Sequence, residues 1–178
     1  MVDPADVPRI VADAAQLVRA GEIVVFGSAA LAFWMEDAPT SRDVDLWTVP
    51  PERGDDVTAL MGELSWYHDK HGAYVEVWGP ETFAAPADWR TRARTLTNEE
   101  FPNVTLVVPH PHDILFSKLE RMEPRDHEHL ARILARFPMS QERRNALAAT
   151  TPAALLAEDH ERRVRFEAGH AALRQLIT

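Results

Sequence analysis

Residues 22–34 read EIVVFGSAALAFW, and the apolar stretch from Ile23 to Trp34 is cut in two by Gly27-Ser28. So short and interrupted a stretch does not span a bilayer. Its first half is β-branched and does not alternate, the pattern of a strand buried on both faces. Its second half, from Ala29 to Met35, has the length of a short helix. A chain built around such a unit needs a sheet with helices packed on it.

The rest of the chain supplies those layers. Val7, Ile10, Val11, Ala14, Leu17 and Val18 recur at helical spacing and predict an amphipathic helix over 4–20. Asp3 is its expected N-cap, Pro4 its first position and Gly21 its end. Residues 43–49 (DVDLWTV) read as a second strand and 52–64 as a helix with Val57, Leu60, Met61 and Leu64 on one face. Residues 73–78 (AYVEVW) and 104–108 (VTLVV) read as further strands, with a short edge strand over 92–97. From His112 the pattern is helical: to about 121, then 124–137, 140–149, and 152 to the end with Thr151 as N-cap. The expected class is α+β, a small mixed sheet with flanking helices and a C-terminal helical region. The expected organisation is an α/β core over 1–110 with a helical region, 111–178, packed on it.

Composition narrows the chemistry. The 178 residues suit one domain, or one domain with a helical appendage. There is no Cys, so no disulfide framework, thiolate nucleophile or Cys-based zinc site is available. The net charge of −9 argues against extended, sequence-independent DNA or RNA binding, which needs a basic surface, while leaving room for a local basic pocket. The opening MVDPADVPRI has no basic segment ahead of an apolar run, so a cytoplasmic protein without a membrane partner is expected. Lys70 and Lys118 are the only lysines among the 19 basic residues.

Three features carry chemistry. A strand that ends in Gly27-Ser28 and opens a helix at once can seat phosphate oxygens: glycine lets the backbone approach closely, and the first helical amides have no partner. The plain alternative is a turn with Ser28 as N-cap. Next, Asp43 and Asp45 stand at i and i+2 of a strand, so both carboxylates face away from Val44 and Leu46, roughly 7 Å apart. Carboxylates so placed repel unless a cation lies between them, and magnesium takes a few carboxylates together with substrate phosphates. The alternative is a solvated edge strand. Finally, Glu76 shares a face with Tyr74 and Trp78. If its strand lies beside DVDLW, it completes a three-carboxylate site able to hold two metal ions; otherwise it is a surface acid.

The order of Gly-Ser opening a helix, Asp-x-Asp in a strand and one acid in a later strand resembles the nucleotidyltransferase superfamily of the DNA polymerase beta type. More narrowly, the chain resembles the small bacterial proteins related to the AbiEii toxin and the minimal nucleotidyltransferases. Residues 113–130, DILFSKLERMEPRDHEHL, are similar to a helical segment of those proteins in which an Asp-Leu-hydrophobic-Lys run precedes an Arg-Asp pair. The resemblance covers roughly 22–137. It implies that Gly27 and Ser28 hold nucleotide phosphates, that Asp43 and Asp45 bind Mg2+, and that Glu76 activates the attacking hydroxyl or acts as third ligand. It further implies that Lys118 contacts the triphosphate and that Arg125 and Asp126 line the same cleft. The implied substrate is a nucleoside triphosphate, ATP first among them. The implied acceptor is a small molecule or a tRNA end, in a toxin–antitoxin setting with a possible protein partner. The rival function is a catalytically inactive module of the same fold that acts by binding, as an antitoxin-like protein would.

Other patterns are weaker. Lys118 lies one turn from Ile114 beside a stripe with Leu115 and Leu119, so its stem should cross the stripe's edge with the ammonium beyond. His112-Asp113 reads as a helix start. His127 and His129 stand two apart and point to different sides of a helix, which argues against shared zinc ligation. Arg90, Arg92 and Arg94 would line one face of an extended segment, either gripping a phosphate-rich substrate or protecting a sheet edge.

Overall fold

The computed structural model describes residues 1–119, 121, 123–150 and 160–176. The chain divides into two compact units, Met1–Thr82 with Arg92–Pro109, and Phe83–Thr91 with His110–Thr178.

The first unit opens with a 3-10 turn, Pro4–Asp6, capped by the Asp3 carboxylate, which accepts from the Ala5 N–H at 2.9 Å. Helix α1 (Val7–Val18) follows and buries Val7, Ile10, Val11, Ala14, Ala15 and Val18. It stops at Arg19, whose φ of 65° turns the chain left-handed, two residues ahead of the Gly21 end that the sequence predicts. Strand β1 (Gly21–Phe26) then runs through the middle of the sheet, with Ile23, Val24 and Val25 fully buried. Such burial from both faces is what its unalternated apolar run calls for.

The sheet is mixed and five-stranded, in the order β3-β2-β1-β5-β4. Strand β2 (Val44–Val49) pairs antiparallel with β1; β3 (Val75–Val77) lies parallel to β2. Strand β5 (Val104–Val108) lies parallel to β1, and β4 (Arg94–Leu96) closes the far edge antiparallel to β5. Together with the helices this is the expected α+β architecture.

The helix expected over 52–64 is broken into pieces. A 3-10 turn, Pro51–Gly54, leads into α2 (Asp55–Met61), and the chain extends at Gly62. A second helix, α3 (Trp66–His71), starts afresh with the Ser65 hydroxyl accepting from the His68 N–H at 3.2 Å. The cause is local: Gly62 and a capping Ser65 supply a stop and a start, which outweigh the apolar spacing. Leu64, counted on the buried face, is 87% exposed. Helix α3 is tied to α1 by the Tyr67 hydroxyl, which donates to Asp13 Oδ2 at 2.6 Å. Burial and that bond push the Tyr67 phenol up to about 12.

Two further expectations shift. Residues Ala29–Phe33 form a 3-10 segment, not an α-helix, and β2 begins at Val44, leaving Asp43 in the bend before it. The three arginines do not form one row. Arg90 lies in a 3-10 turn, Trp89–Thr91, with its guanidinium 4.8 Å from the Trp89 ring centroid, in the second unit. Arg94, in the first unit, donates through Nη1 to the Phe33 carbonyl at 2.5 Å and lies 4.0 Å over the Trp34 ring. It serves to pin the segment after Gly27-Ser28 to the edge strand.

In the second unit, α4 (Pro111–Ser117), α5 (Pro124–Arg136), α6 (Gln141–Ala149) and α7 (His160–Leu176) bury Ile114, Leu115, Phe116, Leu130, Ile133, Leu147, Phe166 and Leu173. The cap of α4 is His110, two residues ahead of the His112-Asp113 start that the sequence suggests, with Nδ1 accepting from the His112 N–H at 3.1 Å. The His112 ring sits 2.8 Å from the Phe137 carbonyl through Nε2, and fully buried Asp113 receives Arg143 Nη2 at 2.8 Å. On α5, His127 is exposed and His129 buried, so they do face apart. The expected start of the last helix at Pro152 lies outside the described residues. Among the described residues no helix is long and apolar enough to cross a membrane.

Candidate active site

The site forms where β1 ends. Gly27 follows β1 with a φ of +67°, a conformation that side chains other than glycine's rarely tolerate. A Cβ placed there would run into Oδ2 of Asp45. The antiparallel register sets Phe26 opposite Asp45, and the parallel register sets Asp45 opposite Glu76. Directly paired residues share a face, so Asp45 and Glu76 stand side by side on the face that also carries Phe26 and Trp47, whose rings pack at 5.1 Å. On the opposite face Val44 and Leu46 are fully buried, as their alternation with the acids requires.

Asp43 reaches the same neighbourhood from the bend before β2. Burial, and after it the charge of Asp43, pushes the Glu76 carboxyl above the ordinary carboxylate range. The same two causes raise the Tyr74 phenol. Arg42 and Glu63 lie close enough to act on both. Tyr74 is 4% exposed, and its hydroxyl sits near Arg42 and Glu76 without making a hydrogen bond of good geometry to either.

The far side of Asp45 is held by Trp78, whose Nε1 donates to Oδ1 at 3.0 Å. Sequence alternation places Tyr74, Glu76 and Trp78 on one face, but the reach of the indole to the neighbouring strand depends on the β2–β3 pairing, which spacing alone does not give. Among the described residues no three Asp, Glu or His side chains converge as a ready-made metal cage. The donors nonetheless suit magnesium, which is commonly bound by one or two carboxylates completed by substrate phosphates and water. Hard oxygen donors on adjacent strands and a glycine cradle against one of them fit a dication with a phosphate ligand.

Ser28 stands at the start of the 3-10 segment in helical conformation, with no side-chain cap bond. Because that segment is five residues long, the helix-dipole part of the expected phosphate seat falls away. What remains is the close backbone approach at Gly27.

Lys118, Arg125 and Asp126 belong to the second unit. Lys118 follows the end of α4 and is 5% exposed. Its ammonium turns inward, not out past the apolar stripe, and meets Asp126 Oδ1 at 3.0 Å. Arg121 embraces the same carboxylate, Nη2 to Oδ1 at 3.0 Å and Nε to Oδ2 at 3.1 Å, and the Glu123 N–H donates to Oδ2 at 3.0 Å. Burial alone would raise the Asp126 carboxyl. The hydrogen bonds and charges of Arg121 and Lys118 overcome this and hold it well below the usual range. Arg125 lies in the first turn of α5.

The Gly27 geometry gives a direct prediction. Gly27→Ala should cost about 1–2 kcal/mol in backbone strain and also displace the Asp45 carboxylate. Thermal unfolding should show a modest loss, while Mn2+ binding by calorimetry in the presence of ATP should fall much further. A variant that loses stability but binds Mn2+ normally would separate Gly27 from the site.

The family model described as "Nucleotidyltransferase of unknown function (DUF6036)" matches residues 6–168. No curated protein and no solved structure matches the chain.

Proposed function

Because the chain belongs to this family of nucleotidyltransferases of unknown function, we propose that it moves a nucleotidyl group from a nucleoside triphosphate to an acceptor hydroxyl, with magnesium required. The observation that carries this reading is the approach of Gly27 to Asp45, with Glu76 opposite Asp45 across the strand pair. Asp43 and Asp45 are the residues that would hold the cation, with Glu76 beside them as the base or, instead, as a third ligand. When bound, the cation would neutralise charge on the phosphate oxygens. The Gly27 backbone, free of a side chain, lets phosphate oxygens approach the main chain. Glu76, whose burial and acidic neighbour raise its proton affinity, accepts the proton of the acceptor hydroxyl. That hydroxyl oxygen bonds to the α-phosphorus as the bond to the pyrophosphate oxygen breaks, and pyrophosphate leaves. Positioning and charge neutralisation supply most of the acceleration in such a transfer.

ATP is the first donor to test, and the acceptor is a small molecule or a tRNA end. The proposal rests on the first unit alone. Lys118 is committed to Asp126, so a role on the triphosphate requires that pair to exchange. The lack of a preformed three-ligand cage among the described residues favours a second reading, an inactive module of this fold that works through a protein partner.

The test is incubation with α-labelled ATP, or each of the other three nucleoside triphosphates, and MgCl2, supplied with total tRNA or a small-metabolite extract. Label should pass to one of the two acceptor pools and be lost when EDTA is present. No transfer from any nucleotide to either pool overturns the enzymatic reading and leaves the binding module.

A further inference from the structure

We propose that Trp78 is a positioning residue for Asp45, fixing the orientation in which that carboxylate meets a divalent cation; this rests on the function proposed above. The two oxygens of Asp45 face different neighbours. Oδ1 accepts from the Trp78 indole N–H at 3.0 Å, and Oδ2 lies over the bare Cα of Gly27. The carboxylate is therefore held between a donor on β3's extension and the turn after β1, and it cannot rotate freely about its terminal bond.

The support for the indole is itself built in. The Trp78 N–H of the main chain donates to the Leu46 carbonyl at 2.9 Å, continuing the β2–β3 ladder one residue past Val77. The Trp78 backbone is thereby pinned to the strand that carries Asp45. Trp78 is 44% exposed, whereas Trp47 on the same face is 3% exposed. The ring is thus half open to solvent, and its single polar atom is spent on Asp45.

A donor on one carboxylate oxygen selects which lone pairs remain for a cation and lowers the entropy lost on binding. Removing such an outer partner of a ligand typically weakens metal affinity 10–100-fold. Tryptophan suits the role because its indole is donor-only and cannot itself compete for the cation.

Trp78→Phe keeps the ring and removes the donor. We expect it to bind Mn2+ about tenfold more weakly than wild type by calorimetry with ATP present, with thermal unfolding little changed. A readout independent of metal comes from the five indole N–H resonances of the 15N-labelled protein. Trp78→Phe deletes one, and Asp45→Ala should shift that same resonance while leaving the other four in place. Titration with MgCl2 and ATP should move it in wild type. An unmoved Trp78 resonance in Asp45→Ala, or Mn2+ binding by Trp78→Phe equal to wild type, overturns the role of Trp78 and leaves the proposed function standing. A wild type that binds neither Mg2+ nor Mn2+ with any nucleotide overturns the proposed function, and the positioning role with it.

Discussion

Asp45→Ala should reduce nucleotidyl transfer by about a hundred- to a thousandfold, because it would remove a ligand of the cation that neutralises charge on the phosphate oxygens. The loss should come with little change in stability, because the Asp45 side chain is only half-buried, does not pack in the core and lies against Gly27. Labelled-nucleotide transfer measured beside thermal unfolding checks both halves. Asp43→Ala should lose transfer as well, since Asp43 acts on Glu76 from the same side. Activity within tenfold of wild type in Asp45→Ala would remove the carboxylate from the chemistry altogether. Glu76→Gln separates roles further: loss in kcat with nucleotide binding retained points to proton acceptance, and loss of Mn2+ binding points to ligation.

The second large effect falls in the other unit. Asp126 is fully buried and compensates both Lys118 and Arg121. Asp126→Ala strands the Lys118 ammonium in the interior, and breaking a buried pair in this way costs about 3–5 kcal/mol. For a chain of this size that corresponds to a fall in Tm on the order of 10 °C. The pH dependence has a fixed sign. The folded-state pKa of Asp126 lies below its unfolded value, so its contribution is present above about pH 4 and is lost as the pH falls through the folded value. Wild type and Asp126→Ala should therefore differ most at neutral pH and converge in acid. Unfolding curves at pH 7 and at successive steps below about pH 4, down to about pH 2, decide this: the gap should begin to narrow only below about pH 4, and a gap that stays constant down to about pH 2 would mean that the loss is one of packing.

Legibility followed the range of the interactions. The runs at Ile23–Val25 and in β5, and the stripe of α1, depend on burial of contiguous or periodically spaced residues, so the sequence reports them directly. The break at Gly62–Ser65 was hidden because Val57, Leu60, Met61 and Leu64 continue a helical rhythm. Leu60 and Leu64 are in fact exposed, at 55% and 87%, so half of that rhythm was not core at all. At the site, only Asp45 follows from strand alternation; Asp43 lies in the bend before β2 and not in the strand, and Glu76 depended on β3 lying beside β2. The indole bond to Asp45 and the buried Tyr74 hydroxyl were invisible for the same reason: each needs a cross-strand register that no local pattern states. Lys118 shows the converse. Its place beside the apolar stripe was readable, but its partner eight residues on, brought back by the turn after α4, was not.

The division of the chain has a practical consequence for dissecting it. Phe83–Thr91 falls between β3 and β4 in order yet groups with the helices after Pro109. The polypeptide thus changes unit three times, and no single cut releases either one whole. A fragment starting at His110 would leave Phe83 and its edge-on partner Trp89 behind, while one stopping at Pro109 would carry that aromatic pair away from its neighbours. Isolated halves should show loosened, dye-binding states, and mixing the two fragments, not expressing either alone, is the route to recovering native-like order.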